Sequence, residues 1–391
     1  MLGDPHPHLL ALPFAIAALA FAWLLLTLGR LHDGESLLRR DGLRIAAAGW
    51  FIGALYAMNS WDLPTYLLIA LLALALGTAS MALRDRLLAG ALLVASAIAP
   101  WIPFSVHFET PARPVASGLA GALGEVPVIG GVLGSIGSYQ GERTSPQEYF
   151  AVFGFMYPFA ILLIVLEAWR RRDGVLAARA RARGSTWQAD PLMQRFAIVT
   201  AVLCLVGSLV VPAPLLVICG LPVIMVWLLI DRDFRVTGAN VALVLYAIAM
   251  IMTLVPEFFY LSDIYGSRMN TVFKVYYQVW LLMAVATALT VIVLWRAARH
   301  HVAVRVAVPA TVTAIVALGL VYPVVGGRQW LEWRAPDRVW HGVDGLAYLR
   351  HEQGGLYAGE YAAIAWLWEH AGADDVILTA GGGEWSNELG R

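Results

Sequence analysis

Apolar runs of roughly twenty residues, separated by short polar or glycine-rich breaks, recur along most of this chain. A run of about 20 such residues, rising 1.5 Å each as a helix, crosses a hydrocarbon core of about 30 Å. The pattern predicts ten membrane helices, near residues 9–29, 45–58, 64–82, 87–104, 148–168, 196–211, 214–230, 239–255, 274–294 and 305–325. Residues 1–325 are therefore expected to form one multi-span transmembrane domain. After 325 the pattern changes. In "EYAAIAWLWEHAG", Ile364, Leu367 and Trp368 stand at helical spacing, and "DDVILTA" reads as a buried strand ahead of glycines. Residues 326–391 are expected to be a small, incomplete α/β segment, too short to fold robustly alone.

Composition sharpens this picture. Of 391 residues 60% are hydrophobic and 14% charged, whereas a soluble domain carries about 25% charged residues. The fold class is an all-α polytopic membrane protein, and membrane lipids are its first partners. The formal net charge is zero, which gives no electrostatic case for nucleic acid. Cys204 and Cys219 lie inside apolar segments without metal-ligand spacing, as small core residues do.

Charge placement orients the chain. Alternate loops, with Arg195 beside them, carry 18 Arg; the opposite set, before the C-terminal tail, has only Arg113, Arg143, Arg268 and Lys274. By the positive-inside rule the N-terminus, the 105–147 loop, "NSWDLPT", residues 256–273 and the tail after 325 face the extracytoplasmic side. The apolar run at Leu9–Leu28 has no basic residue before it and Arg30 after it, so no cleavable signal is visible. The helix interiors hold almost no ionisable groups, which argues against ion-coupled transport.

The unusual polar residues gather at that one side. "GDPHPH" supplies Asp4, His6 and His8 at alternate positions, which in an extended segment share a face and suit a divalent metal such as Zn, Mn or Mg. The alternative is a polar loop at headgroup level. In "NSWDLPTY", Asp62 is a candidate base or a cap for a helix beginning at Pro64. In "PEFFYLSDIYGSRMNTVFKVYYQVW", Glu257 and Asp263 are candidate acids, Arg268 and Lys274 candidate phosphate ligands, and Asn270 a hydrogen-bonding neighbour. Lys274 is the only lysine of the chain and is expected to begin a helix, where an anion is favoured. A solvated interfacial loop is the competing reading. The long 105–147 loop is glycine- and proline-rich with much apolar content, so it is expected to lie against the membrane or cover a site. "GWFIG" at 49–53 is a helix-packing signal.

Four ordered motifs, "GDPHPHLLALPF", "NSWDLPTY", "RTSPQEY" and "RMNTVFKVYYQVW", resemble the Chlor_Arch_YYY membrane protein family, whose function is unassigned. That family in turn is similar to the GT-C glycosyltransferases, polytopic enzymes that use polyprenyl-phosphate-linked sugars at the external face. The motif naming the family and its first external loop are absent here, so the resemblance implies an internal fragment. It also implies sugar transfer from a lipid phosphate donor. Asp62, Glu257 and Asp263 would serve as catalytic or supporting acids, with Arg268, Asn270 and Lys274 at the donor phosphate. Asp4, His6 and His8 would hold a metal or shape the acceptor site, and an apolar groove between helices would take the polyprenyl chain. The alternative from another class is a non-catalytic component of envelope glycan assembly, flippase-associated or scaffolding.

Overall fold

A computed structural model describes residues 7–28, 36–107, 135–172, 191–230, 235–262, 267–300, 302–334, 358–372 and 375–377. The chain divides into two compact units, Asp4–Val312 and Thr313–Arg391 with the first three residues. The division falls inside the last long helix, not after it.

In the first unit α1 is Pro7–Thr27, α2 Leu37–Met58, α3 Asp62–Gly77, and α4 Leu83–Ile98, followed by a short turn and α5, Ile102–Ser105. Strand β1, Ile136–Ser138, precedes α6, Pro146–Phe153, and α7, Tyr157–Arg172. Then come α8, Pro191–Val210, α9, Leu215–Ile218, and α10, Gly220–Leu229. Helix α11, Gly238–Phe258, runs into β2, Phe259–Leu261; α12 is Met269–Ala298, and α13, Val302–Arg334, begins in this unit and passes the boundary at 312. Each expected apolar segment overlaps a helix, although 78–82 lie beyond α3 and a turn at 154–156 breaks the 148–168 segment, and the result is a mostly helical membrane protein. Among the described residues five helical stretches are long and apolar enough to cross a membrane unaided: Pro7–Thr27, Leu83–Ser105, Gly238–Phe258, Met269–Ala298 and Arg305–Glu332. The bent pair α6 and α7, turned through 86°, makes a sixth if taken together. Helix α2 lies outside this set; it opens with Arg39, Arg40, Asp41 and Arg44.

Packing pairs α1 with α3, α2 with α4, and α11 with α12. The 49–53 motif is the α2–α4 contact itself. A methyl on Gly49 would strike the Leu93 carbonyl, and one on Gly53 the Ala97 carbonyl, so only glycine lets these backbones meet. Gly77 does the same between α3 and α1, where an added carbon would lie 2.5 Å from Leu25 O and 2.6 Å from Leu26 O.

Two arginines at these helix ends bond to main-chain carbonyls. Arg40 donates to Leu28 O at the end of α1 (2.9 Å), and Arg86 to Ala75 O at the end of α3 (3.2 Å). Both guanidiniums satisfy carbonyls left over at helix C-termini and oppose the negative dipole end there.

In the second unit α14 is Ala358–His370. Ile364 is its buried residue, whereas Trp368 is exposed and the Trp366 ring stacks on His370 at 4.4 Å. Of the strand expected in "DDVILTA", residues 375–377 are described and form no strand pairing; 374 and 378–380 lie outside the described residues.

Candidate functional site: two polar clusters flanking one helix

The first three turns of α12 carry polar groups on two faces. Arg268, Val272 and Tyr276 recur every four residues and line one stripe, whereas Phe273, Lys274, Tyr277 and Gln278 line another. Each stripe meets a different part of the bundle.

Beside the first stripe Glu257, at the end of α11, is fully buried. Its Oε1 accepts from Arg268 Nη1 (2.6 Å) and Thr144 Oγ1 (2.6 Å), and its Oε2 from the Thr144 amide (3.0 Å). Arg268 also donates to Pro256 O (3.2 Å) and Glu142 O (2.7 Å), and its guanidinium lies 4.5 Å over the Tyr139 ring. The end of the long loop is thereby tied to the α11–α12 hairpin. Strand β1 pairs antiparallel with β2, Gly137 opposite Tyr260, and continues the tie. The following "RTSPQEY" is the start of α6. The Ser145 side chain accepts from the Glu148 amide and the Glu148 carboxylate from the Ser145 amide, a capping box with Pro146 in the first turn. Arg268, Thr144, Glu148 and Tyr276 line a recess of about 480 Å³.

The second stripe faces α1 and α3. Gln278 Nε2 donates to Asp62 Oδ1 (2.8 Å) and Trp61 O (2.9 Å), and its Oε1 accepts from Thr65 Oγ1 (2.5 Å). One turn earlier Lys274 Nζ lies 4.6 Å over the Trp61 ring. The His8 ring, at the start of α1, stands 5.4 Å from Phe273 and 5.9 Å from Tyr277. Asp62 is 4% exposed and lies ahead of the apolar run of its helix. Burial pushes its pKa up to about 6, partly offset by the neighbouring Asn59 and Gln278 amides.

Two expectations change. Asp62 is not a cap for a helix at Pro64: α3 starts at Asp62 itself, with Trp61 as N-cap and no side-chain capping bond. Its carboxylate turns across to Gln278. Lys274 does not begin its helix either. Helix α12 starts at Met269, since nothing in "MNTVF" breaks a helix, and Lys274 stands in the second turn, where the dipole has largely decayed. Lys274 and Asp62 are brought to one wall, with His8 close by. Arg268 and Glu257 share the other. Asn270 lies half-buried in the first turn of α12; Asp4, His6 and Asp263 lie outside the described residues. Among the described residues no three His, Cys, Asp or Glu side chains come together to hold a metal.

Thr144, Thr65 and Gln278 were not anticipated. The S-x-x-E spacing of Ser145 and Glu148 is legible as a capping box. A glutamine inside an apolar helix is a further signal, since such a group must find a partner.

Neither a curated protein nor a solved structure matches this chain. The model of the uncharacterized membrane protein family DUF2298 matches residues 1–283, which include every residue of both clusters, and the chain belongs to that family.

Proposed function

We propose that this protein is a GT-C-like membrane glycosyltransferase, acting at the extracytoplasmic face on a sugar linked to a polyprenyl phosphate. The observation that carries the reading is the wall formed by Asp62 and Lys274. A carboxylate with a pKa of about 6 sits beside Trp61, whose ring holds the ammonium of Lys274. A general base works best when its pKa lies near the operating pH. In the transfer, Asp62 accepts the proton of an acceptor hydroxyl as that oxygen bonds to the anomeric carbon. The bond from that carbon to the phosphate oxygen breaks, and Lys274, with Asn270 in the same helix, stabilises the charge left on the phosphate. Arg268 and Glu257 bind each other and hold the α12 start in position; Asp263 is a supporting acid. Asp4, His6 and His8 would hold a divalent ion or shape the acceptor site. His6→Ala/His8→Ala protein is expected to lose bound Zn or Mn by elemental analysis.

The test is undecaprenyl phosphate binding to the purified full-length chain. Lys274→Met removes the charge and keeps the stem, and is expected to weaken binding by about 1.5–3 kcal/mol, typical of a charged hydrogen bond. Unchanged affinity would make the wall structural. The chain would then be a non-catalytic component of envelope glycan assembly.

A further inference from the structure

One side chain reaches across the bundle to hold the Asp62 carboxylate. Gln278 is buried in the third turn of α12, a helix that packs chiefly on α11. Its amide turns instead to the start of α3 and makes three hydrogen bonds there. Nε2 donates to Asp62 Oδ1 (2.8 Å) and to Trp61 O (2.9 Å), and Oε1 accepts from Thr65 Oγ1 (2.5 Å). These contacts fix which way the amide faces. A main-chain carbonyl only accepts, so the atom opposite Trp61 O must be the nitrogen. Turned over, the amide would set Oε1 against Trp61 O and against the carboxylate, acceptor facing acceptor both times. A threonine hydroxyl serves either orientation, because it both donates and accepts. The lock is therefore Trp61 O. The second amide beside Asp62 is held differently. Asn59 Nδ2 is buried and close enough to favour the Asp62 charge, yet it closes no hydrogen bond.

We propose, resting on Asp62 as the base of the transfer, that Gln278 is its positioning residue: the amide occupies Oδ1 throughout and directs the proton to Oδ2. A proton on Oδ1 would point at the Nε2–H group and meet a donor. On Oδ2 it avoids that clash, and Asn59, which carries no such lock, can turn its carbonyl toward it. Oδ1 then holds the carbonyl double bond and still accepts from Nε2, so the clamp persists through the transfer. In that step the O–H bond of the acceptor hydroxyl breaks and Oδ2–H forms. The electron pair released on the hydroxyl oxygen makes the bond to the anomeric carbon. The titratable groups around this end are Tyr66 on α3, Lys274 and Tyr277 on α12, and His8 on α1. Asp62 itself makes no ion pair among the described residues, and its charge is met by the two amides. The Gln278 bonds also tie α12, with Lys274 one turn earlier, to the α3 start, which holds base and proposed phosphate ligand in one register.

The experiment is carboxyl-carbon NMR of the purified full chain with labelled aspartate, the Asp62 signal identified by its loss in Asp62→Asn and followed against pH. Wild type is expected to titrate at about pH 6. Gln278→Met keeps the side-chain length and removes both N–H groups. Its Asp62 midpoint is expected about one to two pH units higher, the shift that follows loss of a hydrogen bond to a charged group. Thr65→Val leaves Nε2 on both its acceptors and is expected to keep the wild-type midpoint, although it loosens the same helix contact. An unmoved midpoint in Gln278→Met overturns the clamp, and an equal shift in Thr65→Val overturns Trp61 O as the lock. If Gln278→Met does not fold, wild type decides. Its Gln278 side-chain amide protons are expected to shift through the Asp62 midpoint and to stay protected from exchange on both sides of it. Protons blind to that midpoint overturn the proposal, and protection lost below it overturns the Oδ2 assignment. Undecaprenyl phosphate binding that survives Lys274→Met would overturn the transferase reading and leave these midpoints in place, so the two failures are told apart.

Discussion

Each of the two clusters beside α12 is built around one buried carboxylate, and they are built in opposite ways. Glu257 meets a guanidinium and a threonine, with both oxygens engaged at 3.0 Å or less. Asp62 meets neutral amides, and the nearby cation sits over the Trp61 ring. A buried charge that finds a full partner becomes a structural pin; one given only dipoles stays titratable near neutrality. The first arrangement fixes the hairpin and the end of the long loop. The second leaves Asp62 buried at the edge of the apolar core with a raised pKa, the group proposed above as the base.

Breaking the pin should have the largest effect. Arg268→Met strands the buried Glu257 carboxylate and is expected to cost about 3–5 kcal/mol, measured by denaturation in detergent. Glu257→Gln/Arg268→Met should recover much of that loss, because neither charge is then left alone. An Arg268→Met protein as stable as wild type would erase the contrast between the clusters.

The Asp62 cluster should respond to pH instead. Its folded pKa is raised from 3.8 to about 6, so its contribution to stability is full below the unfolded value and lost as pH rises through about 6. Asp62→Asn removes that loss. At pH 8 the variant is expected to be more stable than wild type by roughly 2–3 kcal/mol, with the gain fading toward pH 4. A pH-independent difference would show that Asp62 is not the titrating group.

Smaller effects sharpen the comparison. Ser145→Ala opens the capping box and should cost about 1 kcal/mol, seen as faster amide exchange at the start of α6. Lys274→Met gives up, among its interactions, the contact with the half-buried Trp61 ring, worth about 1 kcal/mol, so its effect on stability should be small beside that of Arg268→Met. An effect on lipid-phosphate binding with almost none on folding is the signature expected of a binding residue, and the converse that of a pin.

Much of this molecule was legible in order of sequence. Hydrophobic runs located the helices because a span must be apolar along its length, and each expected run overlaps a helix. The glycines at 49 and 53 announced a close helix contact, and α4 supplies it. The polar segments were visible as candidates, but their roles were not. Arg268 and Lys274 are equivalent as cations in a string of letters. Six residues apart on a helix, they point about 240° around the axis from one another and so answer to different neighbours. Nor does local sequence separate Glu257 from Asp62, since the partners that distinguish them, Thr144 and Gln278, lie far away in the chain.

The sequence by itself thus determined the class of protein, the positions of its helices and the residues with chemistry to offer. Those properties depend on composition and on periods of a few residues. Tertiary structure alone decided which carboxylate is paired, which keeps a raised pKa, and which way the Gln278 amide faces. Each depends on contacts between residues tens to hundreds of positions apart. Burial and partner together set the free energy of a charge, and no short stretch of chain contains both.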